Sequence, residues 1–216
     1  MKKNTNLSEV LGNMDIYLLD QVMKSRYAFG ESILDAGCGS GRNLYWFVQN
    51  DFDISAIDRS TEAINMLKIQ YPELKNDQLS VCPVEKMPFP TNHFDHIISS
   101  AVLHFAHNLL QFQNMLAEMV RVVKPGGSLF IRMTSDIGIE DKVVPLGEGV
   151  YQIPDGSTRF LLTKSLLNQC LQQYPLSLIE PLKTVNVDDK RCMSTLVMQK
   201  NNYPVFSYSF KSHIFI

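Results

Sequence analysis

Three closely spaced glycines are the first residues whose types and spacing indicate chemistry. Gly37, Gly39 and Gly41 follow the short strand-like run 33–36 in the pattern G-x-G-x-G. Glycine is required where the backbone takes a positive φ or where a ligand approaches the main chain closely. A glycine turn between a strand and a helix directs N–H groups at a ligand above the sheet. The pattern therefore predicts a nucleotide-type ligand at the carboxyl end of a first strand.

Two aspartates narrow the chemistry of that ligand. Asp35, near the end of the first strand, would repel a pyrophosphate but suits an ammonium group or hydroxyls, and the third glycine of a dinucleotide motif is replaced by Arg42. Asp58 follows Asp35 by 23 positions, and its two oxygens can accept hydrogen bonds from both ribose hydroxyls. The alternative is that Asp58 caps a helix beginning at position 60 or 61. S-adenosylmethionine (SAM), which carries a sulfonium and an ammonium group but no phosphate, meets these demands.

The motif around the glycines also has a family resemblance. Residues 34–43, LDAGCGSGRN, resemble the first motif of class I SAM-dependent methyltransferases, and stretches at 83–95, 99–105 and 123–127 match the same family in order. The resemblance covers about residues 30–200. It implies an α/β fold with a Rossmann-like, seven-stranded, mostly parallel sheet, helices on both faces and a C-terminal antiparallel β-hairpin. It also implies SAM as the cofactor.

Residues 83–95 look like the family segment GDAEDLPFPDNSFD, which wraps the adenine. Pro83 stands where the family usually has an aspartate that receives the adenine amino group. The resemblance therefore implies that adenine is held by the backbone N–H of Val84, by Glu85 and by apolar packing. The lack of this side-chain acceptor puts the affinity for SAM in doubt, but we expect SAM still to bind.

Residues 99–105 are similar to the family's SNAVLHH stretch, which lies under the sulfonium and beside the substrate. His104 in this stretch is a candidate general base, because the unperturbed pKa of histidine lies near neutrality. The alternative is a histidine that points inward as a core group. The residues expected to contact the cofactor are Asp35, Gly37, Cys38, Gly39, Asp58, Arg59, Val84, Glu85, Ser99 and Ser100.

Periodicity predicts the elements that position these residues. Residues 7–26 have helical spacing of apolar side chains, with Gly12 as a weak point that favours two short helices. By the resemblance, this segment covers the ligand and contributes Tyr17 to the substrate site. Residues 134–160 lack clear periodicity and contain several glycines and prolines; a segment this long is usually functional, and we expect a substrate lid that contributes Tyr151 and Arg159.

The remaining predicted elements alternate between strands and helices. A terminal hairpin is predicted from strands 176–182 and 192–199, joined by a turn at 188–190. The other strands are expected at 32–36, 52–57, 78–82, 96–100 and 128–133, and the helices at 42–50, 61–70, 108–122 and 163–173.

Composition sets the outer bounds. A chain of 216 residues that is 45% hydrophobic predicts one domain over 1–200, and 201–216 form an extension of unknown role. A net charge of −2 makes a nucleic-acid partner unlikely. The chain lacks a long apolar run, its N-terminus is polar, and its four cysteines have no metal-binding spacing. These features predict a cytoplasmic protein with reduced thiols, no membrane association and no metal.

The sequence thus predicts an enzyme that transfers a methyl group from SAM to a small-molecule acceptor by direct in-line displacement. The residues after the glycines and the segment IISSAVLHF look similar to the tellurite-resistance type of small-molecule methyltransferase. Three alternatives remain open: a methyltransferase acting on nucleic acid or protein, a catalytically silent SAM-binding protein, and an NAD-dependent oxidoreductase. Arg42 and the final hairpin disfavour the last of these. The oligomeric state is not predicted.

Overall fold

The computed structural model describes residues 6–202, and its core is an eight-stranded sheet. The strands of that sheet are β1 (Ser32–Ala36), β2 (Asp53–Asp58), β3 (Leu79–Val81), β4 (Phe94–Ser100), β5 (Val123–Ser135), β9 (Leu176–Leu178), β10 (Lys183–Val187) and β11 (Arg191–Lys200). Between them, β6 (Val144–Gly147), β7 (Val150–Gln152) and β8 (Thr158–Phe160) form a separate three-stranded sheet. The helices are α1 (Leu7–Leu11), α2 (Ile16–Met23), α3 (Tyr45–Gln49), α4 (Thr61–Gln70), α5 (Leu109–Val122) and α6 (Lys164–Gln173), with 3₁₀ turns at Asn76–Gln78 and Leu103–Phe105.

Seven strands lie side by side in the order β10-β11-β5-β4-β1-β2-β3. The strands from β5 to β3 are parallel to their neighbours, whereas β11 runs antiparallel to both β5 and β10. Reversals of strand order place loops from neighbouring strands around a crevice at their carboxyl ends. The predicted Rossmann-like sheet with a terminal antiparallel hairpin is therefore confirmed.

The prediction was wrong about which strand forms that hairpin. We expected 176–182 to pair with the last strand across the turn, but β10 does so, with Val187 opposite Arg191. Strand β9 ends at Leu178 and pairs with the far end of β11. Pro181 explains the break, because proline has no N–H to donate to a sheet ladder. The resulting sheet has eight strands rather than the seven expected.

Helices cover both faces of the sheet, as predicted. Adjacent residues of β1 point to opposite faces, so Ile33 packs with α2, α3 and α4, whereas Leu34 packs with α5 and α6. Phe47 and Phe112 are among the largest side chains buried in the two layers. Burial of this apolar surface is the main driving force that holds the helices on the sheet.

The N-terminal segment forms two short helices rather than one. Gly12 ends α1 with a φ of 61°, and Asp15 begins α2 by accepting a hydrogen bond from the N–H of Tyr17 at 3.0 Å. Such a cap satisfies one of the N–H groups that the first helical turn leaves without a partner. Asp15 thereby has a fixed position close to the carboxyl end of the sheet, where it contacts Arg42.

The segment 134–160 contains regular structure that the sequence did not reveal. Its three strands are only three or four residues long, and all four residues of β6 are exposed. Gly147 and Gly149 interrupt the alternation between β6 and β7 with φ values of 112° and 84°. Strands this short and this exposed carry little apolar periodicity. The role of residues 134–160 as a substrate lid stays a prediction.

Two further predictions concern membrane association and the C-terminal extension 201–216. Among the described residues, no helix is both long enough and apolar enough to cross a bilayer. Of the predicted extension 201–216, the part 203–216 lies outside the described residues.

Candidate active site

The glycine turn after β1 is held against the end of β2 by backbone hydrogen bonds. The N–H groups of Gly37 and Cys38 both donate to the carbonyl oxygen of Ile57 at 2.9 Å, and the N–H of Gly39 donates to Oδ2 of Asp58 at 2.9 Å. The glycines at 37, 39 and 41 have φ values of 85°, 52° and 75°. Because side chains rarely adopt this left-handed region, glycine permits the turn.

A cavity of ≈ 690 Å³ opens above this turn at the carboxyl end of the sheet. Ligand sites for small molecules typically measure about 300–1,000 Å³, so the cavity has room for a nucleoside and a second small molecule. Its walls come from the glycine turn, the ends of β2, β4 and β5, the small sheet and the terminal hairpin. Among the residues that line it are Gly37, Cys38, Gly39, Arg42, Asp58, Arg59, Pro83, Val84, Glu85, Ser100, His104, Phe105, Gln111, Arg132, Arg159, Val187 and Arg191.

The structure brings most of the predicted site residues to this cavity. Those that line it are Gly37, Cys38, Gly39, Asp58, Arg59, Val84, Glu85, Ser100, His104 and Arg159. Four others do not line it: Asp35, Ser99, Tyr17 and Tyr151. Asp35 and Ser99 are buried in the sheet beneath the cavity, Tyr151 lies in β7, and the ring of Tyr17 lies 5.0 Å from the guanidinium of Arg132. Roles for these four residues stay predictions. Because they do not line the cavity, they would act on a ligand indirectly, through the residues that do.

Asp58 braces the turn and faces the cavity at the same time. Its Oδ2 accepts the N–H of Gly39 and its Oδ1 accepts the N–H of Ser60, each at 2.9 Å. The side chain that caps α4 is Ser60, whose Oγ accepts the N–H of Ala63 at 3.2 Å. Each carboxylate oxygen has a second lone pair. Asp58 can therefore accept further hydrogen bonds from a ligand while it holds Gly39.

Asp35 is a buried carboxyl group with an unsatisfied atom. It is 1% exposed, and its Oδ2 has no hydrogen-bond partner among the described residues. Burial raises the pKa of Asp35 to about 7; the charge of Arg42 opposes this rise, and the charge of Asp58 adds to it. The carboxyl group is therefore partly protonated near neutral pH. A cation bound above it would favour the ionised form.

We expect Asp35→Asn to stabilise the ligand-free protein at pH 8 and to have little effect at pH 4. The folded-state pKa lies above the unfolded value of 3.8, so the stability contributed by protonated Asp35 is lost as pH rises through about 7. The variant should melt roughly 5–10 °C higher at pH 8. Thermal unfolding at both pH values measures this, with Asp53→Asn, an exposed position on β2, as the control. An equal gain at both pH values would contradict the assigned cause.

His104 is a buried ring whose Nδ1 is already occupied. The N–H of Thr134 donates to Nδ1 at 3.2 Å, and Oγ1 of Thr134 lies 3.0 Å from the same nitrogen. Because a backbone N–H can only donate, Nδ1 is an acceptor and the neutral ring carries its proton on Nε2. Burial, and to a smaller extent the charges of Arg159, Arg191 and Arg132, lower the pKa of His104 to about 4. These contacts favour a neutral hydrogen-bond donor over the general base that the sequence suggested.

We expect the His104 imidazole to stay neutral from pH 8 down to about pH 5. The unfolded chain takes up a proton near pH 6.5, whereas the folded chain does so only near pH 4. His104 therefore makes the protein less stable as pH falls through that window, and His104→Gln removes this dependence. The NMR titration of the His104 ring, assigned by comparison with the variant, measures the pKa directly. A midpoint at or above pH 6.5 would restore the general-base hypothesis.

Sequence reasoning missed Arg132 and Asp15, which lie beside the glycine turn. Ser100 and Arg132 are paired across the ends of β4 and β5, and Asp15 lies 3.2 Å from Arg42 and 3.3 Å from Arg132. Asp15 is only 6% exposed, so this ion pairing fixes α2 beside the glycine turn. The available signal was that Arg132 interrupts the apolar run of β5 at its carboxyl end, where functional side chains of parallel sheets collect.

The described residues hold no group of three His, Cys, Asp or Glu side chains able to bind a metal ion. All four cysteines are free thiols. Burial raises the pKa of Cys38, and the charges of Asp35 and Asp58 raise it further, so this thiol is protonated. Cys38 therefore contributes a small apolar surface to the cavity rather than a nucleophile.

Comparisons with known proteins agree with this geometry. Residues 34–131 match a protein family described as "Methyltransferase domain". The chain is 31% identical over 98 residues to the uncharacterized methyltransferase sll0829 of a Synechocystis species, an alignment that spans 45% of this chain and 44% of that protein. It is 29% identical to the ubiquinone/menaquinone biosynthesis C-methyltransferase UbiE of Francisella tularensis subsp. novicida, over 63% of this chain and 54% of that protein. The chain thus spans about half the length of these relatives.

Solved structures show the same fold. A SAM-dependent methyltransferase from Methanosarcina mazei has a TM-score of 0.68 at 19% identity, covering 83% of this chain and 97% of that one. The 1,6-didemethyltoxoflavin-N1-methyltransferase of Burkholderia thailandensis, solved with its substrate and S-adenosylhomocysteine, has a TM-score of 0.65 at 16% identity, covering 88% and 80%. The relatives named here are not described as tellurite-resistance enzymes, so that finer resemblance stays a prediction.

Proposed function

We propose that the protein is an enzyme that methylates a small-molecule acceptor. Its residues 34–131 match a methyltransferase domain, and its fold is that of a solved SAM-dependent methyltransferase. The observation that carries the proposal is the joint position of Gly39 and Asp58 at the rim of one large cavity. The volume of the cavity and its mixed polar and apolar lining give room for two molecules.

The residues present fit SAM. A side chain placed at Gly39 would meet no atom within 4 Å, so the space above this part of the turn is open to a ligand. Asp58 retains lone pairs for two ribose hydroxyls. Asp35, with its unsatisfied Oδ2, is a buried carboxyl group beneath the same turn, and a bound cation would favour its ionised form. When bound, SAM would supply a methyl group on a sulfonium, which is a good leaving group for direct in-line displacement.

At the proposed adenine side of the cavity, Pro83 stands where the family usually has an aspartate. Pro83, Val84 and Glu85 line the cavity. Oε1 of Glu85 accepts a hydrogen bond from Nε2 of Gln111 at 2.9 Å, which orients the carboxylate. We propose that Glu85 and the N–H of Val84 take over the recognition of the adenine edge. Gln111, which the sequence analysis did not single out, would act by positioning Glu85.

The protein's own contribution to the reaction would be alignment and exclusion of water. Holding two reactants in line can supply about 7–11 kcal/mol of barrier reduction. Phe105, Val187 and Met193 give the acceptor side apolar walls, which limit water near the reacting atoms. His104 would donate a hydrogen bond from Nε2, because its Nδ1 is held by Thr134.

A calorimetric titration with SAM, S-adenosylhomocysteine and NAD tests the proposal. We expect saturable one-to-one binding of the first two and none of NAD. Transfer of an isotope-labelled methyl group to a small-molecule extract, compared with transfer to bulk RNA and to protein, then tests the acceptor class. Tighter binding of NAD, or label only in RNA or protein, would overturn the proposal. Binding of SAM with no transfer to any pool would favour the catalytically silent alternative.

A further inference from the structure

Charged residues of both signs line the cavity. Asp58 and Glu85 lie beside the proposed nucleoside site, whereas Arg159 and Arg191 lie beside His104. These two arginines come from β8 and from the first residue of β11. Two elements distant in sequence therefore place cations on the same wall, where a positive field would attract an anion.

Arg159 is held in place by contacts that leave most of its N–H donors without a partner. Its guanidinium lies 5.1 Å from the centroid of the Phe105 ring, and its Nη1 donates to the carbonyl oxygen of Thr158 at 2.7 Å. Within residues 6–202, it forms no salt bridge shorter than 4.0 Å. A guanidinium has five N–H donors, so most of them remain for a ligand.

One carboxylate near both arginines shows that the site accommodates an anion. Asp155 uses Oδ1 to accept the N–H of Ser157 at 2.9 Å and its hydroxyl at 2.6 Å. Its Oδ2 lies 3.8 Å from Nη1 of Arg191. Burial raises the pKa of Asp155, but the hydrogen bonds from Ser157 and the charges of Arg191 and Arg159 outweigh it, so the net pKa is lowered. One carboxylate tied to Ser157 cannot neutralise two arginines.

Two of the three other arginines that line the cavity are already paired, and the third, Arg59, directly follows Asp58 at the end of β2. Arg42 and Arg132 both contact Asp15 beside the glycine turn, so they belong to the cofactor side. Beyond Arg159, a smaller cavity of ≈ 220 Å³ continues between Phe105, Val150 and Phe160. This cavity shares His104, Phe105 and Arg159 with the larger one, and Ala106, Val150 and Phe160 add apolar surface beside His107 and Thr158. It provides space for the body of an acceptor whose charged group stays at the arginines.

We propose that the methyl acceptor is an organic acid whose carboxylate binds between Arg159 and Arg191, with an apolar or aromatic body against Phe105. The inference rests on the proposed function, because it names the substrate class for the same cavity. Guanidinium groups match the planar, two-oxygen geometry of a carboxylate, which gives paired hydrogen bonds. The neutral His104 adds a donor without adding a charge.

The test is a titration of the protein saturated with S-adenosylhomocysteine, using benzoate, its neutral analogue benzamide, and inorganic phosphate. We expect benzoate to bind at least about tenfold more tightly than benzamide, because only benzoate offers a charge to the arginines. Arg159→Gln and Arg191→Gln should each weaken benzoate binding roughly tenfold. The affinity for S-adenosylhomocysteine should stay unchanged in both variants.

Lys190→Gln is the matched control, because it removes one positive charge next to Arg191 in the same hairpin. The Lys190 side chain is 64% exposed and pairs with Asp188. The variant should leave benzoate binding unchanged. Arg191 is half-exposed, so its variant should fold even if Arg159→Gln does not. The proposal would be overturned if benzoate did not bind or bound no more tightly than benzamide. It would also be overturned if Lys190→Gln weakened benzoate binding as much as the arginine variants do, or if benzoate displaced S-adenosylhomocysteine. Phosphate binding as tightly as benzoate would reassign the site to phosphate esters.

The two proposals fail in different ways. If S-adenosylhomocysteine does not bind, the proposed function fails, and the benzoate series on the ligand-free protein still tests the arginine pair. If S-adenosylhomocysteine binds and benzoate does not, only the organic-acid acceptor is excluded.

Discussion

Asp58→Ala is expected to weaken binding of SAM and S-adenosylhomocysteine about 100-fold. Two hydrogen bonds from ribose hydroxyls to a charged carboxylate would be lost, each contributing about 1.5 kcal/mol or more. The variant also removes the acceptor that holds the N–H of Gly39 at 2.9 Å, so the glycine turn loses one of its supports. Calorimetric titration at pH 7.5 measures the change in Kd.

The control for Asp58 lies on the same strand. Asp53 is exposed at the opposite end of β2 and accepts a hydrogen bond only from Gln78, at 3.2 Å, among the described residues. Asp53→Ala removes the same charge and should leave both affinities unchanged. Asp58→Asn, which retains one oxygen acceptor, should fall between the wild type and Asp58→Ala. If Asp58→Ala binds both ligands as the wild type does, the carboxylate does not hold the ribose and its role is to brace the turn.

Gly37→Ala is expected to cause a large loss of stability. A Cβ at this position would lie 2.5 Å and 2.8 Å from the two methyl groups of Val102, and the φ of 85° disfavours any side chain. The strained conformation costs about 1–2 kcal/mol and the overpacking about 1–3 kcal/mol. For a chain of this size, the melting temperature should fall by roughly 5–15 °C. Differential scanning calorimetry measures this fall.

Gly30→Ala separates the two causes. Gly30 has a φ of 84°, but a Cβ there would meet no atom within 4 Å. This variant should lose only the conformational part, about 1–2 kcal/mol. A melting temperature equally low in both variants would mean that backbone strain, rather than the collision with Val102, accounts for the effect at position 37.

Much of the central sheet could be predicted because its signals are local. The glycine pattern at 37–41 and the apolar run before it depend on a few adjacent residues, and so does the helix stop at Tyr71 before Pro72. Strand β1 and helix α4 accordingly begin and end where they were predicted. The hairpin was assigned to the wrong strand because β11 has three neighbours, β5, β10 and β9, and pairing over such distances has no local signature.

The cofactor side of the site was more accessible to sequence reasoning than the acceptor side. Asp58 and Glu85 follow recognisable motifs at fixed spacing. Arg159 and Arg191 come from strands of two different sheets, and only the folded chain brings them to one wall. The environment of His104 was also beyond prediction, since its low pKa depends on burial and on those arginines.

The place of β11 between β5 and β10 has a consequence for the synthesis of the protein. A ribosome completes the glycine turn and the strands β1 to β5 long before it makes residues 187–193, which supply Val187, Arg191 and Met193 to the cavity. During that interval, β5 presents an unpaired edge, and such edges promote association between chains. The nascent chain can thus build its nucleoside side first, while the wall that would select the acceptor forms only when the last described strand inserts and covers that edge.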